Sequence, residues 1–224
     1  MVSEIKETQT IPPSEAVLAV IASFLLLLFL GAVLVILVGV GLSMVLGELL
    51  IAVVPLGYML SKKINIKKYI GLEVNFKSIL IGVAIGALLL LFDIFISNIL
   101  VAIFGQSETI EESNKLIIEM SSSPDGLVLI VASLALAGIC EEFTFRGFLQ
   151  NALSSKYSAG IALLASSLAF GLSHFDPQAV YMISAFLLGL ILGYVYYRWH
   201  SYTISATAHA TLNLIVLALT ILLP

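Results

Sequence analysis

Two adjacent carboxylates and an arginine, Glu141, Glu142 and Arg146 in "CEEFTFRGFLQ", follow the uncharged run "LVLIVASLALAGI". An Asp, Lys or Arg at mid-bilayer costs about 2.5 to 3.5 kcal/mol on insertion scales. Three ionisable groups within six residues therefore need mutual compensation or a task. Glu142 and Arg146 stand four apart, so they share a helix face and can pair. Glu141 points about 100° away and finds no partner on its own helix. Two further apolar segments repeat the four-residue step, Phe170 with His174 in "FGLSH" and His209 with Asn213 in "HATLN". A single intramembrane His or Asn is ordinarily an interhelical hydrogen bonder. A Glu, two His and an Asn on three separate helices read better as a converging site that water can reach. Such residue types suit chemistry in which protons move to and from water.

The elements that must position these groups are membrane helices. The chain has 224 residues, 60% hydrophobic and 11% charged, with a mean hydropathy of +1.13. A soluble domain is nearer a quarter charged, so the bilayer is the main solvent. The small net charge of -4 argues against a nucleic acid partner, and the one cysteine, Cys140, excludes an internal disulfide. Residues 1–15 are polar with Pro12 and Pro13 and read as a flexible lead-in. A spanning helix needs about 20 apolar residues. The apolar runs then give about seven spans: Ala16–Val38, Leu42–Leu60 after a "GVG" break, Ile79–Phe104, Leu127–Leu153, a short Gly160–Leu172, Val180–Tyr197 and Ile204–Leu223. The expected fold is thus an all-α polytopic membrane bundle. Residues 16–104 form three N-terminal helices and 105–126 an acidic extracytoplasmic loop with a short amphipathic helix, before a four-helix core over 127–224. Five lysines in "SKKINIKKYIGLEVNFK" place that connection in the cytoplasm. Alternation then puts Lys156, Arg198 and the N-terminus on the same side. Gly82, Gly86, Gly189 and Gly193 fall at four-residue steps, a mark of close helix packing. Dull roles fit the remaining polar groups: Asp93 and Asn98 as packing residues, Glu48 as an interior hydrogen bonder, His200 at the interface and Cys140 as a small buried hydrophobe.

In this order, "EEFTFR", "FGLSH" and "HATLN" fit EExxxR, FxxxH and HxxxN motifs. The chain over roughly Leu127 to Leu219 thereby resembles the CAAX-protease and bacteriocin-processing (CPBP or Abi) intramembrane proteases, which include the type II CAAX prenyl proteases. The resemblance implies a glutamate-dependent endopeptidase acting on a membrane-associated, possibly prenylated CAAX-type peptide, with membrane lipid as its surroundings. It implies that Glu141 and His174 activate a water, while His209 and Asn213 form the oxyanion hole. Glu142, Arg146 and Phe170 would support the site, or Arg146 would meet the substrate carboxylate. No cofactor is required on this account. A zinc alternative uses the same residues, with Glu141, His174 and His209 as ligands and Glu142 as base, although no HExxH is present. A non-catalytic membrane scaffold or bacteriocin-immunity protein is the rival from another class, and a proton-relaying transporter a third. The protein is expected in the plasma membrane, with a cavity lined by all four catalytic side chains and open to the cytoplasm. Helix rise puts His209, Glu141 and His174 about 10, 18 and 24 Å from the cytoplasmic ends of their helices. Tilt or a recessed fifth span must reconcile those depths.

Overall fold

The computed structural model describes residues 10–223, and all regular structure among them is helical. The first element, α1 (Pro13–Ser61), is a hairpin. Gly39 breaks it with φ 77° and ψ 169°, a conformation that a residue without Cβ adopts at little cost. In a straight helix, residues 15 and 58 would lie about 65 Å apart. Instead the Tyr58 hydroxyl donates to Glu15 at 2.6 Å, and Lys62 pairs with the same carboxylate at 3.8 Å. The two arms, 13–38 and 40–61, match the first two expected spans. The chain enters α1 earlier than expected, with Pro13 in the first turn and Ile11 already buried. Of the expected flexible lead-in, residues 1–9 lie outside the described residues.

A short α2 (Ile66–Tyr69) sits in the lysine-rich connection, and α3 (Phe76–Phe104) follows. The acidic segment forms α4 (Glu108–Ser121), polar on one side and apolar on the other. Next come α5 (Pro124–Ser154), α6 (Ala159–Ser173), α7 (Val180–Trp199) and α8 (Tyr202–Leu222). Among the described residues five helices are long and apolar enough to cross a membrane, one of them the α1 hairpin. The 15-residue α6 rises about 22 Å, short of a bilayer core of about 30 Å. Helix starts were written locally: Asn75, Ser107, Ser123, Ser158 and Ser201 each accept a hydrogen bond from a backbone amide three residues on.

Small residues let the helices close. A Cβ on Gly82 would meet Thr207 at 2.6 Å, and one on Gly86 the Ala208 carbonyl at 2.5 Å, so α3 lies directly on α8. Gly138 brings α5 equally close to Ala210 of α8. Gly189 and Gly193 admit Phe170, Arg146 and Gln150 onto α7. Hydrogen bonds define the two ends of the bundle. At one, the lysine-rich connection is tied down: Tyr202 N–H donates to Gly71 O (3.3 Å), Tyr196 Oη to Ile70 O (3.3 Å) and Asn151 Nδ2 to Tyr69 O (2.5 Å). At the other, the Ser107 hydroxyl before α4 donates to Asp176, in the α6–α7 connection, at 3.1 Å. The 29 residues of α3 separate these ends by about 43 Å.

Candidate active site

The motif glutamates stand where α5 changes its winding. Pro124–Glu142 is α-helical, and Phe143–Gln150 is a π-helix whose eight side chains are all buried. A π segment widens the turn and is frequent at functional sites. Arg146 and Gln150 both point from it onto α7, where Arg146 Nη2 donates to Gly189 O (3.1 Å) and Gln150 Nε2 to Gly193 O (2.9 Å). The two glycines are spaced at the step the sequence showed, and each carbonyl receives one polar side chain.

Glu142 is fully buried and fully engaged. Its Oε1 lies 2.9 Å from Arg146 Nη1 and 3.2 Å from His209 Nδ1, while Oε2 accepts from the Ser205 hydroxyl. The expected Glu142–Arg146 pair therefore forms, and it also reaches α8. Arg146 is itself fully buried, its guanidinium 4.3 Å from the centroid of the Phe170 ring. A buried charge demands such partners, because isolated it would cost many kcal/mol.

Glu141 finds its partner on another helix: Oε2 stands 3.7 Å from His209 Nε2. An ionised carboxylate accepts and cannot donate, so His209 donates Nδ1–H to Glu142 and turns Nε2 toward Glu141. One imidazole is thus held between two consecutive carboxylates. His174 caps the C-terminal end of α6, with Nδ1 2.8 Å from Phe170 O and 3.2 Å from Ser173 Oγ. Its ring packs edge-on against Phe170 (4.7 Å) and Tyr181 (5.0 Å). Phe170 also touches His209 at 5.7 Å, so a single buried aromatic ring locates both histidines and the guanidinium. Asn213 donates Nδ2 to Leu134 O at 3.2 Å.

A cavity of about 260 Å³ adjoins these groups, lined by His174, His209, Asn213, Phe170, Tyr181 and Asp93 among others. Glu141 is not one of its lining residues and contacts a cavity wall through His209. The wall continues to Ile110 and Ile117 of α4. The cavity thus extends toward the α4 end, opposite the lysine-rich connection. The two histidines need not lie level, because Phe170 spans them. Among the described residues no group of three or more His, Cys, Asp or Glu is gathered to hold a metal ion.

Sequence reading missed Ser205 and Tyr181, and it gave Glu48 only the role of an interior hydrogen bonder. Ser205 stands four residues before His209 and eight before Asn213, so the repeated step in "SATAHATLN" could have found it. Tyr181 carries no local signal. Glu48, on the second arm of α1, leaves Oε2 buried without a hydrogen-bond partner and lies within electrostatic reach of Glu141. Of the two α3 groups read as packing, Asp93 lines the cavity, whereas Asn98 donates to Ile94 O of its own helix (2.7 Å).

Fold and site together define an integral membrane protein whose apolar helices enclose a carboxylate–imidazole–amide constellation. Residues 123–215, less than half of the chain, match the family described as type II CAAX prenyl endopeptidase Rce1-like, and that stretch belongs to the family. The match contains the EExxxR, FxxxH and HxxxN residues and excludes α1 to α4. At family level the match is to CAAX-type intramembrane proteases. No curated protein and no solved structure matches it.

Proposed function

We propose that the protein is an intramembrane endopeptidase that hydrolyses a peptide bond of a membrane-associated, CAAX-type substrate without a metal. The observation carrying this reading is the placement of His209, with Nδ1 given to Glu142 and Nε2 3.7 Å from Glu141, beside a cavity that His174 and Asn213 also line. Glu141 takes a proton from a water held between it and His174, and the oxygen attacks the carbonyl carbon. The developing oxyanion meets the Asn213 amide and, with His209 as the imidazolium whose Nδ1–H goes to Glu142, its Nε2–H. A preorganised donor of this kind is worth about 3 kcal/mol. Collapse breaks the C–N bond, and the proton held by Glu141 passes to the leaving amine. Glu142 and Arg146 are positioning residues: Arg146 is spent on Glu142, Gly189 and Phe170 and stays out of the cavity.

The test uses the purified full chain in lipid nanodiscs, dialysed against a chelator, with a farnesylated CAAX peptide and its unmodified counterpart. Cleavage of either peptide that survives chelation is expected. A rate that vanishes on chelation and returns with zinc would replace the water-activating pair by a metal. No cleavage of either peptide by folded protein would leave the scaffold reading.

A further inference from the structure

The cavity that His174 and His209 share carries a carboxylate of its own. Asp93 of α3 lines the same cavity as the two histidines, and its Oδ1 accepts from Ser184 Oγ of α7 at 3.3 Å. Oδ2 has no hydrogen-bond partner among the described residues. Among the described residues no lysine or arginine lines the cavity. The one guanidinium nearby, Arg146, is fully buried under Glu142 and Phe170. Lys62, Lys63, Lys67, Lys68 and Lys77 sit at the far end of α3.

The helix that lines the far end of the cavity carries the same sign. Over the α4 end of the cavity, Glu108, Glu111, Glu112 and Glu119 are exposed, against Lys115 as the helix's cation. Ile110 and Ile117 of that helix meanwhile face the cavity. A cleft with walls of low dielectric and one sign of charge concentrates ligands of the opposite sign. An anionic group entering would meet like charge and no guanidinium to bind it. A cationic group would exchange its water shell for a charge-assisted hydrogen bond to Asp93.

Resting on the protease reading above, we propose that Asp93 is a specificity residue selecting peptides with a lysine or arginine side chain close to the scissile bond. It does so by pairing that cation inside the catalytic cavity. The free C-terminal carboxylate of a substrate is then held outside this pocket.

The test is a quenched-fluorescent peptide series in nanodiscs. Lys, Gln or Glu is placed in turn at each of the three positions flanking the bond on either side. Wild type is expected to favour Lys over Gln at one position by roughly tenfold in kcat/KM, about the strength of one hydrogen bond to a charged group, and to disfavour Glu there. The Lys-to-Gln ratio should fall to about one in Asp93→Asn and persist in Asp93→Glu, with all variants eluting as monodisperse protein. Equal rates for the three peptides in wild type, or a lysine preference that survives Asp93→Asn, would overturn the assignment. Binding of the same peptides to the Glu141→Gln variant separates the two ideas. If nothing is cleaved the protease reading fails, while a lysine preference in binding that Asp93→Asn abolishes still supports the pocket, and its absence refutes it.

Discussion

The α1 hairpin and the helices α5 to α8 are both apolar, yet they spend their residues differently. In the most hydrophobic stretch of α1, 11% of residues are buried inside the bundle, against 44% in the corresponding stretches of α5 and α7. Leu28, Phe29, Ile36 and Leu37 of the hairpin face outward. In α5 the inward positions hold Glu142, Thr144, Arg146 and Gln150, and each has a partner on another helix or on α1. Hydrophobicity measures contact with lipid, whereas what a membrane helix does inside its bundle is written in its few polar and small residues.

If that contrast is right, substitutions should grade in effect from the polar interior to the lipid-facing arm. The largest change is expected for Glu141→Gln, which should slow peptide cleavage by about 10² to 10⁴-fold at unchanged folded yield. A collapse of yield instead would make Glu141 a structural residue. Glu142→Ala strands Arg146 in the interior, and breaking a buried pair costs about 3 to 5 kcal/mol. Thermal unfolding in nanodiscs should show that loss, and stability equal to wild type would remove the pair from the core. Gly86→Leu drives a side chain into the Ala208 carbonyl and Thr211, which predicts a loss of about 1 to 3 kcal/mol by overpacking. Ile36→Val, on a residue 83% exposed, should stay within about 0.5 kcal/mol. An effect as large as that of Gly86→Leu would mean the hairpin packs on something.

A pH experiment sharpens the same comparison at the cavity end. Burial alone would raise the Asp176 carboxyl, but hydrogen bonds from the Tyr181 and Gln178 amides and the Ser107 and Thr109 hydroxyls outweigh it and hold it below its usual range. A lowered folded-state value stabilises above the unfolded value of about 4 and is lost as pH falls through the folded one. The hydrogen-exchange protection factor of α4 should therefore fall below about pH 4 in wild type. In Asp176→Asn the protection factor should be low and independent of pH over the same range.

Much of the bundle was legible before its coordinates. Apolar runs gave the helices to within a few residues, and the glycine steps foretold where α3 meets α8 and where α7 receives Arg146 and Gln150. The Glu142–Arg146 pair followed from spacing on one helix. Contacts between helices did not. Nothing local says that His209 of α8 stands against Glu141, that Phe170 braces two histidines, or that Asp93 lines a cavity while accepting from Ser184. Those facts depend on how far each helix slides and rotates against the next, which periodicity alone leaves free. The π segment was hidden for a related reason, since "FTFRGFLQ" differs from an α-helical run in its hydrogen bonding and not in its composition.

The long α3 has a directional consequence. It keeps the lysines at one rim of the bundle and the histidine-lined cavity toward the other. Sixteen residues of helix, about 24 Å, separate Lys77 from Asp93, so the charge that orients a chain in its membrane stands apart from the charge inside the cavity.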